Sequence, residues 1–257
     1  MPIHDALGQR MKIYEGVTKG HLMRRTPVAI RLDGRAFHTF TKGFKRPFDD
    51  IFAVSMEQTM QYLCENISGC VLGYHQSDEI TLILCDYQTL ETQPWFDNEI
   101  LKICSISASM ATMAFNKFFT QNVEKFICDA GDGFSPYMDT LWKAKNKGAM
   151  FDSRCFNIPK EEVTNLLYWR QIDAVRNSIL SFGQYYYSQK ELQNKTCADI
   201  KEMLLETEGF VYDEIVPIRV QRGTCCIKKN GKWEVDYEIP MFLGDGREYV
   251  EKRINFD

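Results

Sequence analysis

Residues 71–85 read Val-Leu-Gly-Tyr-His-Gln-Ser-Asp-Glu-Ile-Thr-Leu-Ile-Leu-Cys. Apolar residues at both ends flank a polar tip at residues 76–79, which carries two adjacent carboxylates, Asp78 and Glu79. Two apolar runs joined by a short polar segment are typical of a β-hairpin. We therefore predict two strands whose turn places Asp78 and Glu79 at one end of a sheet.

A further strand is predicted upstream, in the sequence Pro-Val-Ala-Ile-Arg-Leu-Asp-Gly-Arg at residues 27–35, where Asp33 is followed by Gly34. Between this strand and the hairpin, residues 49–66 carry apolar residues at a spacing closer to a helical stripe than to strand alternation. A right-handed crossover through that helix would place the first strand beside the hairpin. Asp33 and Asp78 would then meet on one sheet.

Two converging carboxylates have a known chemical use. Magnesium is usually held by one or two carboxylates together with the phosphates of a substrate. A pair of metal ions that clamps the attacking and leaving oxygens is common in phosphoryl and nucleotidyl transfer. Acidic turns are also common. From the spacing alone, an equally good interpretation is that Asp33 caps a turn and that Asp78 and Glu79 form a solvated hairpin tip.

Composition limits the class of protein. The chain has 257 residues, 44% hydrophobic content and a net charge of −4, which fits one large or two small globular domains and requires any nucleic-acid binding to use local basic patches. Nine cysteines, an odd number without a Cys-x-x-Cys pair, argue against a disulfide framework and a zinc site, and favour a reducing cytoplasm. We expect no secretory signal and no membrane span, because a charged leader and an apolar stretch of about 20 residues are both missing.

The rest of the chain shows weaker local patterns. The predicted elements are a helical tendency over residues 5–25 ended by Pro27, a helix over 97–119, a strand over 151–159, a helix over 161–187, and a C-terminal hairpin with strands 224–228 and 233–239 around an Asn230-Gly231 turn. The sequence leaves open whether this last hairpin caps the fold or makes an oligomer contact.

Several motifs together resemble one family. Arg-Leu-Asp-Gly-Arg-x-Phe-His-x-Phe at residues 31–40 and Gly-Tyr-x-Gln-Ser-Asp-Glu at residues 73–79 resemble the tRNA-His guanylyltransferases and their relatives, the 3′–5′ nucleotide-adding polymerases. Phe-Asp-Ser-Arg at 151–154, Trp-Arg-Gln at 169–171 and Arg-Gly-Thr at 222–224 resemble further blocks of the family. The resemblance covers most of the chain.

The resemblance implies a fold and an assembly. The expected class is α+β, with a ferredoxin-like βαββαβ catalytic core shaped like the palm of polymerases and nucleotidyl cyclases, further helices, and a C-terminal β-hairpin region. Residues 1–140 would form the palm-like catalytic domain with the metal and nucleotide sites. Residues 141–257 would form a helical and β portion packed on that core as one compact unit. The family forms tetramers, so a homo-oligomer, a homotetramer by resemblance, is expected.

The resemblance also implies site residues. Asp33, Asp78 and the Gly34 carbonyl would hold two magnesium ions, and Glu79 would complete the catalytic acids in a supporting role. Asp49 would favour a guanine base, although from the residues alone a capped helix start is at least as good an interpretation. The implied nucleotide-binding residues are Gly34, Arg35, Ala36, Phe37, His38, Thr41, Lys45, Arg46, Asp49, Ser77 and Lys102. Candidate RNA contacts are Lys143, Lys145, Arg154, Arg170, Asn177 and Lys201, with solvated lysines as the alternative.

One segment departs from the family. Eukaryotic-type guanylyltransferases carry His-Ile-Asn-Asn-Leu-Tyr-Asn after the Trp-Arg-Gln helix, whereas residues 175–181 here read Val-Arg-Asn-Ser-Ile-Leu-Ser. The variant looks more like the "like-protein" branch, whose members add nucleotides to 5′-truncated tRNAs against a template.

The predicted function is therefore 3′–5′ nucleotide addition to the tRNA 5′ end, as template-dependent repair. ATP or GTP would activate the 5′ end, and the 3′-OH of an incoming nucleoside triphosphate would then attack it. The alternatives are strict guanylate addition to tRNA-His, a nucleotidyl cyclase, and a non-catalytic tRNA-binding protein. The expected partners are tRNA and nucleoside triphosphates, without a membrane, in the cytoplasm.

Overall fold

In the residues that the computed structural model describes, 3–131 and 135–256, six strands form one antiparallel sheet in the order β4-β1-β3-β2-β5-β6. The side chains of residues 3–5 are also outside the description. The strands are β1 (Val28–Gly34), β2 (Cys70–Gln76), β3 (Glu79–Leu84), β4 (Phe151–Asn157), β5 (Thr224–Lys229) and β6 (Lys232–Asp236). The predicted first strand, central hairpin and strand after residue 150 are confirmed.

The helices confirm the predicted mixed α+β class. They are α1 (Ile3–Gly16), α2 (Phe37–Phe40), α3 (Asp50–Asn66), α4 (Ile100–Asp129), α5 (Pro136–Lys147), α6 (Val163–Tyr186), α7 (Cys197–Glu208), α8 (Tyr212–Ile215), α9 (Ile218–Arg222) and α10 (Glu248–Ile254). Across the described parts of the chain, none of these helices is both long and apolar enough to cross a lipid bilayer.

Two helix boundaries differ from the sequence-based prediction. The first helix ends at Gly16 instead of reaching residue 25, because the following segment pairs with another part of the chain: His21 forms a β-bridge with Glu99, and the Leu22 N–H donates to the Asn98 carbonyl at 2.9 Å. The helix predicted over residues 97–119 begins at Ile100 and continues to Asp129. Tertiary pairing and packing decided both ends, which local spacing did not indicate.

Strand β1 is an interior strand of the sheet, between β4 and β3. Val28, Ile30 and Leu32 face one side, in the same hydrophobic cluster as α3 and α4, whereas Ala29 faces the other side and packs in the cluster that includes α6. Side chains two residues apart share a face, so Arg31 and Asp33 point to the α6 side. Coverage on both faces explains why this strand reads as an apolar run rather than as an alternation.

Phenylalanines anchor the segment that follows β1. The ring of Phe37 packs on Phe40 at 5.1 Å and on Phe115 at 5.5 Å, and Phe44 stacks on Phe119 at 5.8 Å. Full burial of such a side chain contributes about 1.5–3 kcal/mol. The short helix α2 and the loop after it are therefore fixed to α4, although few hydrogen-bonded turns hold them.

The C-terminal hairpin extends the sheet. β5 pairs with β2 through Gly73 opposite Cys226 and His75 opposite Thr224, and β6 pairs with β5. Asn230 and Gly231 have φ angles of 50° and 80°, as a two-residue hairpin turn favours. The hairpin thus covers the β2 edge; whether it also contacts another subunit stays a prediction. Strands β4 to β6 follow residue 140 in the sequence but share one sheet with β1 to β3. The predicted division of the chain into two portions at residue 140 stays a prediction.

Candidate functional site

The sheet brings Asp33 and Asp78 to one end, as the sequence predicts. Asp33 is paired with Glu79 across β1 and β3, and the Gly34 N–H donates to the Asp78 carbonyl at 3.1 Å. Ser77 and Asp78 form the two-residue turn, in which Ser77 has a φ of 51°. The hairpin turn is thus tied by a backbone hydrogen bond to the end of β1, so the two aspartates lie side by side.

The two aspartates are half-buried, and their charges work against each other. The side chain of Asp33 is 39% exposed. Burial, together with the neighbouring Asp33 carboxylate, raises the pKa of Asp78. A divalent cation would relieve this repulsion, because it neutralises both carboxylates.

The two carboxylates suit a magnesium ion that also takes ligands from water and substrate. They do not form a site in which protein side chains supply every ligand. Among residues 3–131 and 135–256 there is no group of three or more His, Cys, Asp or Glu side chains able to hold a metal ion. Magnesium needs only one or two carboxylates, since water and substrate phosphates supply its other ligands. The pair formed by Asp33 and Asp78 therefore fits a magnesium ion that arrives with a phosphorylated substrate.

Glu79 lies beside these aspartates but is engaged elsewhere. It is 5% exposed, and Arg170 on α6 donates from Nε to Glu79 Oε1 at 2.6 Å. Arg31 Nε lies 3.4 Å from the other Glu79 oxygen, Oε2. Arg170 also bonds Asp173 at 2.9 Å. The carboxylate of Glu79 is thus part of a buried ion-pair cluster that joins the hairpin to α6, as a supporting role requires.

A cavity of about 390 Å³ opens beside Asp78. Its wall is formed by α2, the loop before α3, the first turns of α3, the β2–β3 turn, α6 and α9. From the sequence-predicted sets it contains Phe37, His38, Thr41, Lys45, Arg46, Asp49, Ser77, Asp78 and Asn177. Gly34, Arg35, Ala36 and Lys102 are outside its wall, and the Lys102 ammonium lies over the Phe96 ring at 5.1 Å.

Asp49 caps α3, which was one of its two sequence-based interpretations. Its carboxylate accepts hydrogen bonds from the backbone N–H groups of Phe52 and Lys45, each at 3.0 Å. The Tyr137 hydroxyl donates a third hydrogen bond at 2.7 Å. Both carboxylate oxygens are therefore occupied within the protein, and contact with a guanine base stays a prediction.

Most of the candidate RNA contacts have acidic partners inside the chain. Lys143 pairs with Asp139, Lys145 with Glu124, and Lys201 with Asp213. Arg154 lies 4.0 Å from Asp33 and bonds Asp152 at 3.1 Å. Arg170 is only 7% exposed, so its guanidinium faces the protein interior in this conformation. Asn177 lines the cavity.

Sequence reasoning missed three titratable residues of the cavity wall: His75, Glu57 and Arg219. Burial lowers the pKa of His75 to about 4, although its hydrogen bond to the Ser77 carbonyl opposes this shift. The imidazole is therefore neutral and donates from Nε2 to that carbonyl at 2.9 Å, which braces the turn that carries Asp78. His75 occupies the unspecified position x of the hairpin motif, and Glu57 lies within the predicted helix of residues 49–66. Neither residue therefore carried a local signal of function.

Gly34 is required by a close approach and not by its backbone angle. A Cβ atom at this position would lie 2.3 Å from Phe37 Cδ2. Phe37 is 3% exposed and packs against four other rings, so it cannot move aside easily. We expect Gly34→Ala to lower the free energy of unfolding by about 1–3 kcal/mol, measured by urea denaturation. Gly8→Ala is the control, because nothing lies within 4 Å of the added methyl group; equal stability of the two variants would contradict the prediction.

The chain is similar to known proteins over most of its length. The tRNAHis guanylyltransferase family profile matches residues 8–159. A bacterial tRNA(His) guanylyltransferase-like protein solved in complex with ATP is 37% identical, with a TM-score of 0.84 over 98% of this chain and 100% of that one. A second solved structure with that description, in complex with GTP, is 36% identical, with a TM-score of 0.73 over 96% of this chain and 99% of that one.

A curated relative shows the same likeness by sequence alone. The probable tRNA(His) guanylyltransferase of Dictyostelium discoideum is 26% identical over 221 residues, which is 81% of this chain and 77% of the relative. The profile match spans more than half of the chain, from α1 through β4, and includes both aspartates. The membership that the motifs around Asp33 and Asp78 suggested is thereby confirmed: this chain belongs to the tRNAHis guanylyltransferase family.

Proposed function

We propose that this protein is a magnesium-dependent 3′–5′ nucleotidyltransferase that repairs tRNAs lacking 5′ nucleotides, adding each nucleotide against a template. The observation that carries the proposal is that Asp78, which lies beside Asp33 at the end of the sheet, lines a cavity whose wall includes Lys45, Arg46 and Arg219. Carboxylates for a metal and cations for phosphates are what nucleotidyl transfer requires. The similar bacterial structures solved with ATP and with GTP support nucleotides as substrates.

The order and connections of the core elements support the proposed palm-like fold. In sequence the elements run β1, α3, β2, β3, α4 and β4, and in the sheet these strands lie in the order β4-β1-β3-β2. This supports a ferredoxin-like catalytic core. Residues 1–140 would carry the metal ligands, while Asn177 and Arg219 from the later part of the chain would complete the nucleotide cavity.

The reaction has two chemical steps. A tRNA 5′-monophosphate attacks the α-phosphate of ATP or GTP, which releases pyrophosphate and leaves a 5′–5′ pyrophosphate linkage. The 3′-OH of the incoming nucleoside triphosphate then attacks the tRNA 5′-phosphate, and the nucleoside monophosphate leaves. A 5′-triphosphorylated end would need no activation, because it already carries a leaving group.

The residues of this chain have separate parts in both steps. Asp33 and Asp78 would hold magnesium, which supplies neutralisation of phosphate charge and a lower pKa for the attacking hydroxyl. Lys45 and Arg46 would attract the triphosphate from the cavity wall. Glu79 holds the hairpin to α6 through Arg170 and so keeps the neighbouring Asp78 in place.

The choice of truncated tRNAs over tRNA-His rests on residues 175–181. Val175 stands where the eukaryotic-type family motif has histidine, and it packs in the apolar cluster between α6 and α7. The histidine of a motif that the family ties to the tRNA-His-specific reaction is thus replaced by an apolar residue that packs within the protein. A homotetramer belongs to the same proposal and is supported by family resemblance. A cytoplasmic location also belongs to it and is supported by the nine cysteines, which suggest no disulfide framework.

A direct assay separates repair from strict guanylate addition. A 5′-labelled tRNA without its first nucleotide and a full-length tRNA-His are each incubated with the protein, magnesium and all four nucleoside triphosphates. We expect addition of the templated nucleotide to the truncated tRNA to be the faster reaction. Preference for untemplated guanylate on tRNA-His would contradict repair, and a cyclic product from ATP or GTP alone would indicate a cyclase. Absence of product from every substrate would indicate a binding protein.

A further inference from the structure

Two cysteines from distant parts of the chain meet where α4 packs on strand β4. The Cys104 thiol on α4 donates a hydrogen bond to the Cys155 sulfur on β4, and the two Sγ atoms are 3.6 Å apart. Both residues are half-buried, and both are free thiols in this structure. The fold therefore brings into contact two thiols that are 51 residues apart in the sequence.

A disulfide between these thiols requires only a small displacement. Because a disulfide S–S bond is about 2.05 Å long, the two sulfur atoms must approach each other by roughly 1.5 Å. Rotation about the Cα–Cβ bonds moves sulfur atoms over such distances. Neighbouring contacts hold the two backbones together: Ser107 Oγ lies 2.8 Å from Ser153 Oγ, and the Phe151 N–H donates to Thr112 Oγ1 at 3.1 Å. The two thiols are thus positioned for cross-linking by the packing of α4 on β4.

Strand β4 has fewer contacts to hold it than the interior strands have. It lies at one end of the sheet and, within the described residues, pairs only with β1. Phe151 is buried, whereas the other residues of the strand, 152–157, are half-buried or exposed. Segments with few buried apolar contacts and exposed backbone hydrogen bonds open locally more often than the core does. A covalent bond to α4 would therefore have its main effect on the local opening of β4.

The opposite face of β4 borders one of the proposed metal ligands. In the pairing of β1 with β4, Arg154 lies across from Arg31, and Asp152 lies across from Asp33. The Arg154 Nη2 atom is 4.0 Å from Asp33 Oδ2. Successive side chains of a strand point to opposite faces, so Cys155 points to α4 while Arg154 points to the side of Asp33. The strand that would be cross-linked therefore also carries the neighbours of Asp33.

We propose that Cys104 and Cys155 form a reversible oxidation site, at which a peroxide converts the two thiols into a disulfide that joins β4 to α4. The site is separate from the nucleotide cavity, because neither cysteine lines that cavity. Disulfides in reducing compartments are usually transient or redox-sensing. The bond between Cys104 and Cys155 is accordingly a response to oxidant and not a permanent part of the fold.

The reaction consumes one peroxide and two thiols. The Cys104 thiolate attacks one oxygen of the peroxide, the O–O bond breaks, and the released hydroxide takes up the Cys104 proton, which gives a sulfenic acid and water. The Cys155 sulfur then attacks the Cys104 sulfur, the S–O bond breaks, and hydroxide leaves with the Cys155 proton as a second water. The two cysteines lose two electrons, and the peroxide gains them. Burial and the hydrogen bond with Cys104 raise the pKa of Cys155 to about 12, so Cys104 reacts first.

Peptide mapping tests the cross-link directly. The protein is treated with hydrogen peroxide, its remaining thiols are blocked with N-ethylmaleimide, and it is digested with trypsin without reduction. Trypsin releases Cys104 in peptide 103–117 and Cys155 in peptide 155–160, and each peptide contains one cysteine. We expect the cross-linked peptides from the wild type, their loss after dithiothreitol, and their absence from Cys104→Ser and Cys155→Ser. Cys128→Ser is the control, because Cys128 is exposed and its removal should leave the cross-link unchanged.

Hydrogen exchange tests whether the disulfide stabilises β4. We expect the backbone amides of residues 151–157 to exchange about tenfold or more slowly in the oxidised wild type than in the reduced wild type. Cys104→Ser treated in the same way should show no such difference. Oxidation of Cys104 to sulfinic acid without the cross-linked peptides, or disulfides formed only through Cys128, would overturn the oxidation site. A cross-link that leaves the exchange of β4 unchanged would overturn its effect on the strand.

Discussion

Asp78→Asn is expected to slow nucleotide addition by about 10³-fold or more. The substitution keeps the size of the side chain but removes one of the two carboxylates that would hold magnesium at the end of the sheet. Metal-assisted charge stabilisation contributes several kcal/mol to the transition state, and each 1.36 kcal/mol corresponds to a factor of ten in rate. Asp33→Asn is expected to have the same effect, because the two carboxylates act together.

The same substitution is expected to leave the protein folded. Burial raises the pKa of Asp78, so the ionised carboxylate opposes folding at pH values above that pKa. A neutral asparagine removes this cost, and the free energy of unfolding in urea is expected to be unchanged or higher. The control is Asp245→Asn at an exposed position, which should affect neither quantity. Near-normal turnover of Asp78→Asn or Asp33→Asn would mean that the metal assignment is wrong.

Arg170→Ala is expected to lower the free energy of unfolding by about 3 kcal/mol. The guanidinium of Arg170 is 7% exposed and bonds Glu79, which is 5% exposed. Removal of one partner of a buried pair leaves an uncompensated charge, which typically costs about 3–5 kcal/mol. We expect the lower end of this range, because Arg31 remains 3.4 Å from Glu79.

Arg176→Ala is the matched control, since it removes an exposed arginine from the same helix. Exposed substitutions of this kind usually change stability by less than about 0.5 kcal/mol. Urea denaturation of both variants measures the difference. Equal midpoints would show that the cluster around Glu79 does not join the hairpin to α6. Since Glu79 adjoins Asp78, we also expect Arg170→Ala to weaken nucleotide addition, although less than Asp78→Asn does.

Local sequence patterns were sufficient to predict the elements that carry Asp33 and Asp78, the two proposed metal ligands. The hairpin of residues 71–85, the strand that ends at Asp33 and the helix between them each carry their signal within a few residues. The apolar runs and the polar tip allow one arrangement of the strands, because a shift by one residue would move Arg31 and Asp33 onto the apolar face that α3 and α4 cover. The proximity of Asp33 and Asp78 follows from that arrangement, and the structure confirms it.

The family could also be recognised from the sequence, because its motifs lie on these same elements. The fold brings together only part of the predicted nucleotide-binding residues. Lys45, Arg46 and Ser77 line the cavity, whereas Lys102 lies outside it over Phe96. Their roles in binding stay predictions. The local sequence around a lysine does not show which way its side chain points, since that depends on which ring or carboxylate the side chain contacts after folding.

Only the tertiary structure decided which polar groups are buried and which have partners. In the sequence, Arg170 cannot be distinguished from an exposed cation. In the fold, α6 packs against the hairpin, and the Arg170 guanidinium pairs with the Glu79 carboxylate on β3. Glu57 and Arg219 lie far apart in the sequence and meet because α9 packs beside α3 at the cavity. The sequence alone shows which side chains can be charged. Their desolvation and their partners depend on contacts between distant segments. Those contacts determine what the site can bind.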